Sequence, residues 1–224
     1  MPRLLLIPLE DTVVFPGMEV TLPVDPGDES QVFLVPRHES DYASVGVVAE
    51  VGERMRLPGR IRAVQLSALH RGVAGAAQSD PQGRLWVDVE ERPDETPPPS
   101  KTRELESEYR AVVEEILELR GDDGRVSAFV RSITEPGALA DTSGYAPDLT
   151  YEQKVELLQT VDVVDRLSLA LELQRGRLAE LQIRKRIRED VESGAQKQQR
   201  EYLLRRQMDS IRKELGDDGE SVAD

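Results

Sequence analysis

Gly83-Arg84-Leu85-Trp86-Val87-Asp88-Val89-Glu90-Glu91-Arg92 runs directly into Pro93-Asp94-Glu95-Thr96-Pro97-Pro98-Pro99-Ser100, and the chain changes character between the two. The first stretch alternates: Leu85, Val87 and Val89 fall on one face, Trp86, Asp88 and Glu90 on the other, which is the period of a strand. The second is too rich in proline for a helix interior or a central strand and reads as a linker over residues 93–100. Upstream, short apolar runs separated by Pro and Gly continue the strand pattern at Arg3–Leu9, Met18–Val24, Gln31–Val35, Val45–Val51 and Ile61–Leu69. Phe15-Pro16-Gly17 is a turn signal, because Pro presets φ and Gly tolerates positive φ. Strands this short and close predict a compact barrel or sandwich over residues 1–92.

Downstream the period becomes helical. Leu105, Tyr109, Val112, Val113, Ile116 and Leu117 recur at intervals of three and four. Gly121-Asp122-Asp123-Gly124 breaks that helix, Val126–Ile133 predicts another, and Glu135–Pro147 reads mostly as loop. Thr150 with Gln153 fits a capping box, after which Val155, Leu158, Val161, Val164, Leu167 and Leu171 form an apolar face. Residues 101–173 therefore predict a small helical bundle. A last helix, 174–216, contains no proline and would span on the order of 60 Å at about 1.5 Å per residue. Its apolar positions form two patches, Leu178 to Val191 and Leu204 to Leu215. Between them lies a polar waist, Ser193–Arg200, that breaks any heptad register. Gly194 in that waist is the expected hinge. The remaining residues, 217–224, form an acidic tail. The fold class is thus α+β.

Charge follows the same division. The chain carries −14 overall, yet residues 175–215 hold 12 Lys/Arg against 7 Asp/Glu, while residues 1–96 hold 9 against 16. A basic arm on an acidic body calls for acidic contacts on its own or a neighbouring chain. No apolar run approaches a membrane span, and Leu4-Leu5-Leu6-Ile7 is too short for a signal peptide, so a cytoplasmic protein is expected. With no cysteine, disulfides, thiolate chemistry and Cys-ligated zinc are excluded. His38 and His70 are the only histidines, and the polar setting of His38 reads as a solvated loop. A phosphate-cradling G-x-x-x-x-G-K-[ST] loop and a G-x-S-x-G elbow are both missing. No catalytic, metal or cofactor residue is assigned. Trp86, on the polar face of its strand, is read as covered by a neighbouring helix or loop.

Two separated segments resemble Lon-type ATP-dependent proteases: Leu6-Ile7-Pro8-Leu9-Glu10-Asp11-Thr12-Val13-Val14-Phe15-Pro16-Gly17-Met18, and Gln199-Arg200-Glu201-Tyr202-Leu203-Leu204-Arg205-Arg206-Gln207-Met208 with Ile211–Gly216. Val45–Val51, Ala138–Asp141 and Leu157–Leu167 are similar too, in the family's order. The resemblance implies a PUA-like β-domain, a helical bundle and a long helix leading to an AAA+ module. It further implies ATP and Mg in that absent module, a Ser-Lys peptidase elsewhere and a hexamer. One departure is that only Asp25–Ser30 stand where the family commonly inserts a segment with a helix.

The leading functional expectation is recognition of unfolded or regulatory protein substrates, together with assembly. It falls on Phe15 and Met18 near the first turn, with a core position the preferred reading for Phe15, and on Tyr202, Leu203, Leu204 and Met208 of the arm. For these arm residues helix-on-helix packing between subunits is an equal alternative. Such binding needs exposed apolar groups, and methionine adapts to varied partners. The alternative is a nucleic-acid-binding PUA-like module using the basic arm, which predicts a steep salt dependence; the acidic β-domain speaks against it.

Overall fold

Leu4, Leu5, Leu6 and Ile7 are all buried, as are Val32 through Val35, which a strand with one solvated face could not achieve. In the computed structural model, which describes residues 1–57 and 61–214, these runs lie in β1 (Arg3–Glu10) and β3 (Gln31–His38), paired in parallel. Parallel strands covered on both faces read as unbroken apolar runs. The other strands are β2 (Glu19–Leu22), β4 (Asp41–Tyr42), β5 (Val45–Leu57), β6 (Ile61–Ser79) and β7 (Leu85–Arg92). Hydrogen bonding proceeds β1-β7-β6-β5-β3 and returns from β3 to β1, closing a five-strand barrel with β2 on β6 and β4 on β3.

Alternate residues of the strands feed two cores. Leu4, Leu6, Phe33, Val35, Val48, Val87 and Val89 form a cluster made of strand residues alone. Leu5, Ile7, Val32, Leu34, Val47, Val64 and Leu66 belong to a second, which continues into helical residues such as Tyr109, Leu139, Leu157 and Leu167. Gly46 faces Gly72 across β5 and β6. A Cβ at Gly72 would lie 2.5 Å from Val89 Cγ1 and 3.0 Å from Phe33 Cε2, and one at Gly46 would lie 2.8 Å from Phe33 Cζ. The glycine pair makes the slot that the Phe33 ring fills.

The helices are α1 (Pro99–Arg120), α2 (Arg125–Ser132), α3 (Pro136–Asp141), α4 (Tyr151–Gln159) and α5 (Val163–Glu214), with a 3-10 turn at Thr142–Tyr145. Thr150 caps α4 as expected: its hydroxyl accepts from the Gln153 N–H, and Gln153 Oε1 accepts from the Thr150 N–H.

Three expectations need correction. The proline linker is shorter than expected, because Pro99 and Ser100 already belong to α1: proline suits the first helical turn, where its missing N–H has no partner to lose. The segment 135–147, expected as loop, is mostly helical. Its short turns lacked a readable period, and Tyr109 fixes them by sharing hydrogen bonds with Thr142 Oγ1 (2.7 Å) and Ser143 Oγ (2.9 Å). The apolar face of 150–171 is split between two helices, since Asp162 Oδ1 accepts the N–H groups of Val164 and Asp165 and starts α5 there rather than at 174. Helix α5 is continuous through Gly194 and the polar waist. The Asp25–Ser30 segment contains no helix. The acidic tail 217–224 and Gly216 lie outside the described residues.

The chain divides into two units, Met1–Leu178 and Ala179–Asp224. The first holds the barrel, α1–α4 and the beginning of α5, tied together by buried charge. Arg71 on β6, fully buried, donates to both oxygens of Asp141 at 2.9 and 2.7 Å and to Leu158 O at 2.9 Å. Arg166 of α5, also fully buried, lies 3.3 Å from the same carboxylate and pairs with Asp94. Barrel, α3 and α5 thus meet at one carboxylate, and the two arginines carry the junction on to α4 and the linker.

Candidate protein-binding surfaces

Phe15, a candidate contact residue for which a core position was the preferred reading, lies in the core with no exposed area. Its ring rests on Gly144, where a Cβ would sit 2.1 Å from Phe15 Cε2. Met18 is half-buried; it packs on the same core, and its Sδ accepts the Phe15 N–H at 3.3 Å. The turn therefore anchors barrel to helices, and its two apolar residues are occupied. Trp86 is half-buried against the core, with Nε1–H donating to Asp80 Oδ2 at 3.1 Å and the Arg84 guanidinium 5.6 Å from its ring centre. A turn covers it, in keeping with its expected cover by a helix or loop.

The apolar opening of the first unit is elsewhere. A groove of about 420 Å³ is lined by α1 (Val113, Leu117), α2 (Val126, Phe129) and the segment after α3 (Tyr145, Pro147). Phe129 is 50% exposed, Val126 47% and Tyr145 40%. The reason is local. An eight-residue helix cannot bury apolar residues all round: Val130 turns into the core while Val126 and Phe129 stay outside. The sequence reading missed this surface. Its available signal was that α2 carries Val126, Ala128, Phe129 and Val130 on more faces than one core contact can cover.

At one place in this lining Arg120 and Arg177 meet. Arg177 Nη2 donates to Asp148 Oδ2 at 2.6 Å, Arg120 donates to the same oxygen, and Arg177 Nη1 donates to Gln174 Oε1 at 2.7 Å. Burial would raise the pKa of Asp148, but the hydrogen bond and charge of Arg177, reinforced by Arg120, hold it below the ordinary carboxylate value.

In the second unit, Ile183, Ile187 and Val191 form one exposed apolar set. Tyr202, Leu203, Leu204, Met208 and Ile211 form another, each more than half or about half exposed. All stand on α5, and no part of the unit buries them. Gly194 has open space around it. Among the described residues there is no group of three or more His, Asp or Glu that could hold a metal, and no helix is long and apolar enough to cross a membrane.

A closed β-barrel sharing one core with a helical cluster, continued by a helical arm, defines an α+β module with exposed apolar surface and charge pairs devoted to architecture. The family model of the ATP-dependent protease La (LON) substrate-binding domain matches residues 3–175, and the chain belongs to that family. It is 39% identical over 96% of its length to the Lon protease of Mycolicibacterium smegmatis and 38% identical over 98% to that of Chloroflexus aurantiacus. In both cases it spans 29% of the relative. Among solved structures it is similar to the N-terminal domain of a Mycobacterium avium complex Lon protease, with a TM-score of 0.68 and 32% identity, covering 78% of this chain and 98% of that one. The Lon N-terminal domain protein from Xanthomonas campestris, at 17% identity and a TM-score of 0.56, shares the fold.

Proposed function

We propose that this chain is the N-terminal region of a cytoplasmic ATP-dependent Lon protease, where it recognises exposed apolar segments of unfolded or regulatory proteins and helps the protease assemble as a hexamer. ATP, magnesium and the Ser-Lys peptidase chemistry then belong to parts of the protease beyond these 224 residues. The observation that carries the recognition role is the α1–α2 groove. A half-exposed Phe beside Val126 and Tyr145 is apolar surface that a folded domain without a partner would bury. The apolar patches of the arm support the assembly role, because a helix with this much unburied apolar surface is completed by a neighbour.

Binding of a labelled, permanently unfolded protein to the chain, read by fluorescence anisotropy, tests the recognition role. Burying the free half of Phe129 contributes about 1–2 kcal/mol, so Phe129→Ser weakens binding roughly five- to thirtyfold without a large change in melting temperature. Equal affinity of the variant and the parent chain refutes the groove as the recognition surface. For assembly, Tyr202→Ser with Leu204→Ser in the intact protease lowers the hexamer fraction in sedimentation; an unchanged hexamer rejects the arm's part in it.

A further inference from the structure

We propose that the α1–α2 groove selects apolar segments bearing an acidic side chain, and that Arg120 and Arg177 provide that selection. This rests on the groove being the substrate surface and goes further, to the chemistry of the segment it prefers.

The only charged residues lining the groove are these two arginines, in a chain whose net charge is −14. The contrast with another cavity of the same unit is direct: where Pro93–Pro97 faces Glu135–Ala138, the lining holds Asp94, Glu95, Glu135 and Asp141. A recess with Arg54, Arg56 and Arg62 beside Asp25 has no aromatic wall, whereas aromatic walls and a cationic lining coincide in the α1–α2 groove. Both guanidinium groups donate to a single oxygen, Oδ2 of Asp148. One carboxylate facing two guanidinium groups leaves one positive charge unmatched at that place. Arg120 keeps about a third of its side chain exposed, at 36%, so donors remain accessible from the groove.

Guanidinium is a planar fork of donors that fits a carboxylate in two parallel hydrogen bonds. Beside the apolar walls of Val113, Leu117, Val126 and Phe129, such a pair is less screened than on open surface. An apolar run laid along those walls would bring an adjoining Asp or Glu to the arginines. The carboxylate is assigned to a side chain because an unfolded protein offers many internal segments and a single C-terminus. Elsewhere the acidic surface of residues 1–174 repels acidic segments, so the arginine pair also sets the direction in which a segment lies.

The test uses the whole chain and fluorescein-labelled peptides with one Leu-Phe-Val core, amidated at the C-terminus and flanked by Glu, Gln or Lys, plus the Gln peptide with a free C-terminus. The Glu peptide is expected to bind at least about tenfold more tightly than the Gln peptide, the lower end of what one charge-assisted hydrogen bond contributes, with the Lys peptide weaker than both. Arg120→Gln, on a partly exposed side chain, reduces the ratio of Glu-peptide to Gln-peptide affinity to less than about twofold. Asp148→Asn removes the competing carboxylate and enlarges the Glu preference. Equal binding of Glu and Gln peptides, or a Glu preference that survives Arg120→Gln, overturns the selection while leaving the groove an apolar site. A free-terminus peptide that matches the Glu peptide overturns the side-chain assignment. If no peptide binds, both the selection and the groove's recognition role fall.

Discussion

Replacing Asp141 with Ala removes the one carboxylate that serves two buried guanidinium groups. Arg71 loses two hydrogen bonds, at 2.7 and 2.9 Å, and keeps the carbonyl of Leu158; Arg166 keeps Asp94 and the carbonyls of Thr160 and Val161. Breaking a buried pair by deleting one partner costs about 3–5 kcal/mol, because the remaining charge is left desolvated. Only the charge on Arg71 is stranded, since Arg166 keeps Asp94, so a loss within that range is expected. Against a total stability of about 5–15 kcal/mol, the variant is close to unfolding. Urea denaturation followed by circular dichroism, extrapolated linearly to water, gives the difference, and the melting temperature should fall by roughly 10 °C or more for a chain of this size. Replacing the pair together, as Arg71→Met with Asp141→Leu, removes the stranded charge on Arg71 and should recover most of that loss. A loss below about 1 kcal/mol for Asp141→Ala refutes the reading of this carboxylate as the junction of barrel and helices.

Gly72→Ala should cost about 1–3 kcal/mol by overpacking against Val89 and the Phe33 ring, measured in the same urea titration; a neutral change would contradict the slot made by Gly46 and Gly72. Burial acts to raise the pKa of Asp80, but hydrogen bonds from Arg84 and Trp86 prevail and lower it to about 2. A carboxylate depressed in the folded state contributes stability above its ordinary pKa and loses it as pH falls through the folded value. Fluorescence of Trp86, the only tryptophan, should therefore change with a midpoint near 2, and Asp80→Asn should abolish that transition. The hydrogen bond and charge of Asp11 raise the pKa of His38 above 6.5, with Glu39 and Glu152 adding to the effect. Its contribution is present below pH 6.5 and is lost as pH rises through the raised value. NMR titration of the His38 ring should place its midpoint above 6.5 in the parent chain and lower in Asp11→Asn.

The sequence by itself determined the class of fold and most element positions, because these depend on local chemistry. Alternation in Leu85–Glu90, the apolar runs Leu4–Ile7 and Val32–Val35, the Thr150–Gln153 capping box and the Gly121–Gly124 break each state their structure within a few residues. Family membership was legible for the same reason, in motifs at both ends of the chain. Tertiary structure alone decided what the surfaces are. Phe15 and Phe129 are the same residue type, each next to a valine; one is buried because Gly144 leaves room for its ring, and the other stays half exposed because its short helix has already turned Val130 inward. Arg71, Asp94, Asp141 and Arg166 read as ordinary surface charges until distant segments bring them together. Burial and pairing arise from contacts far apart along the chain, and no local period encodes them.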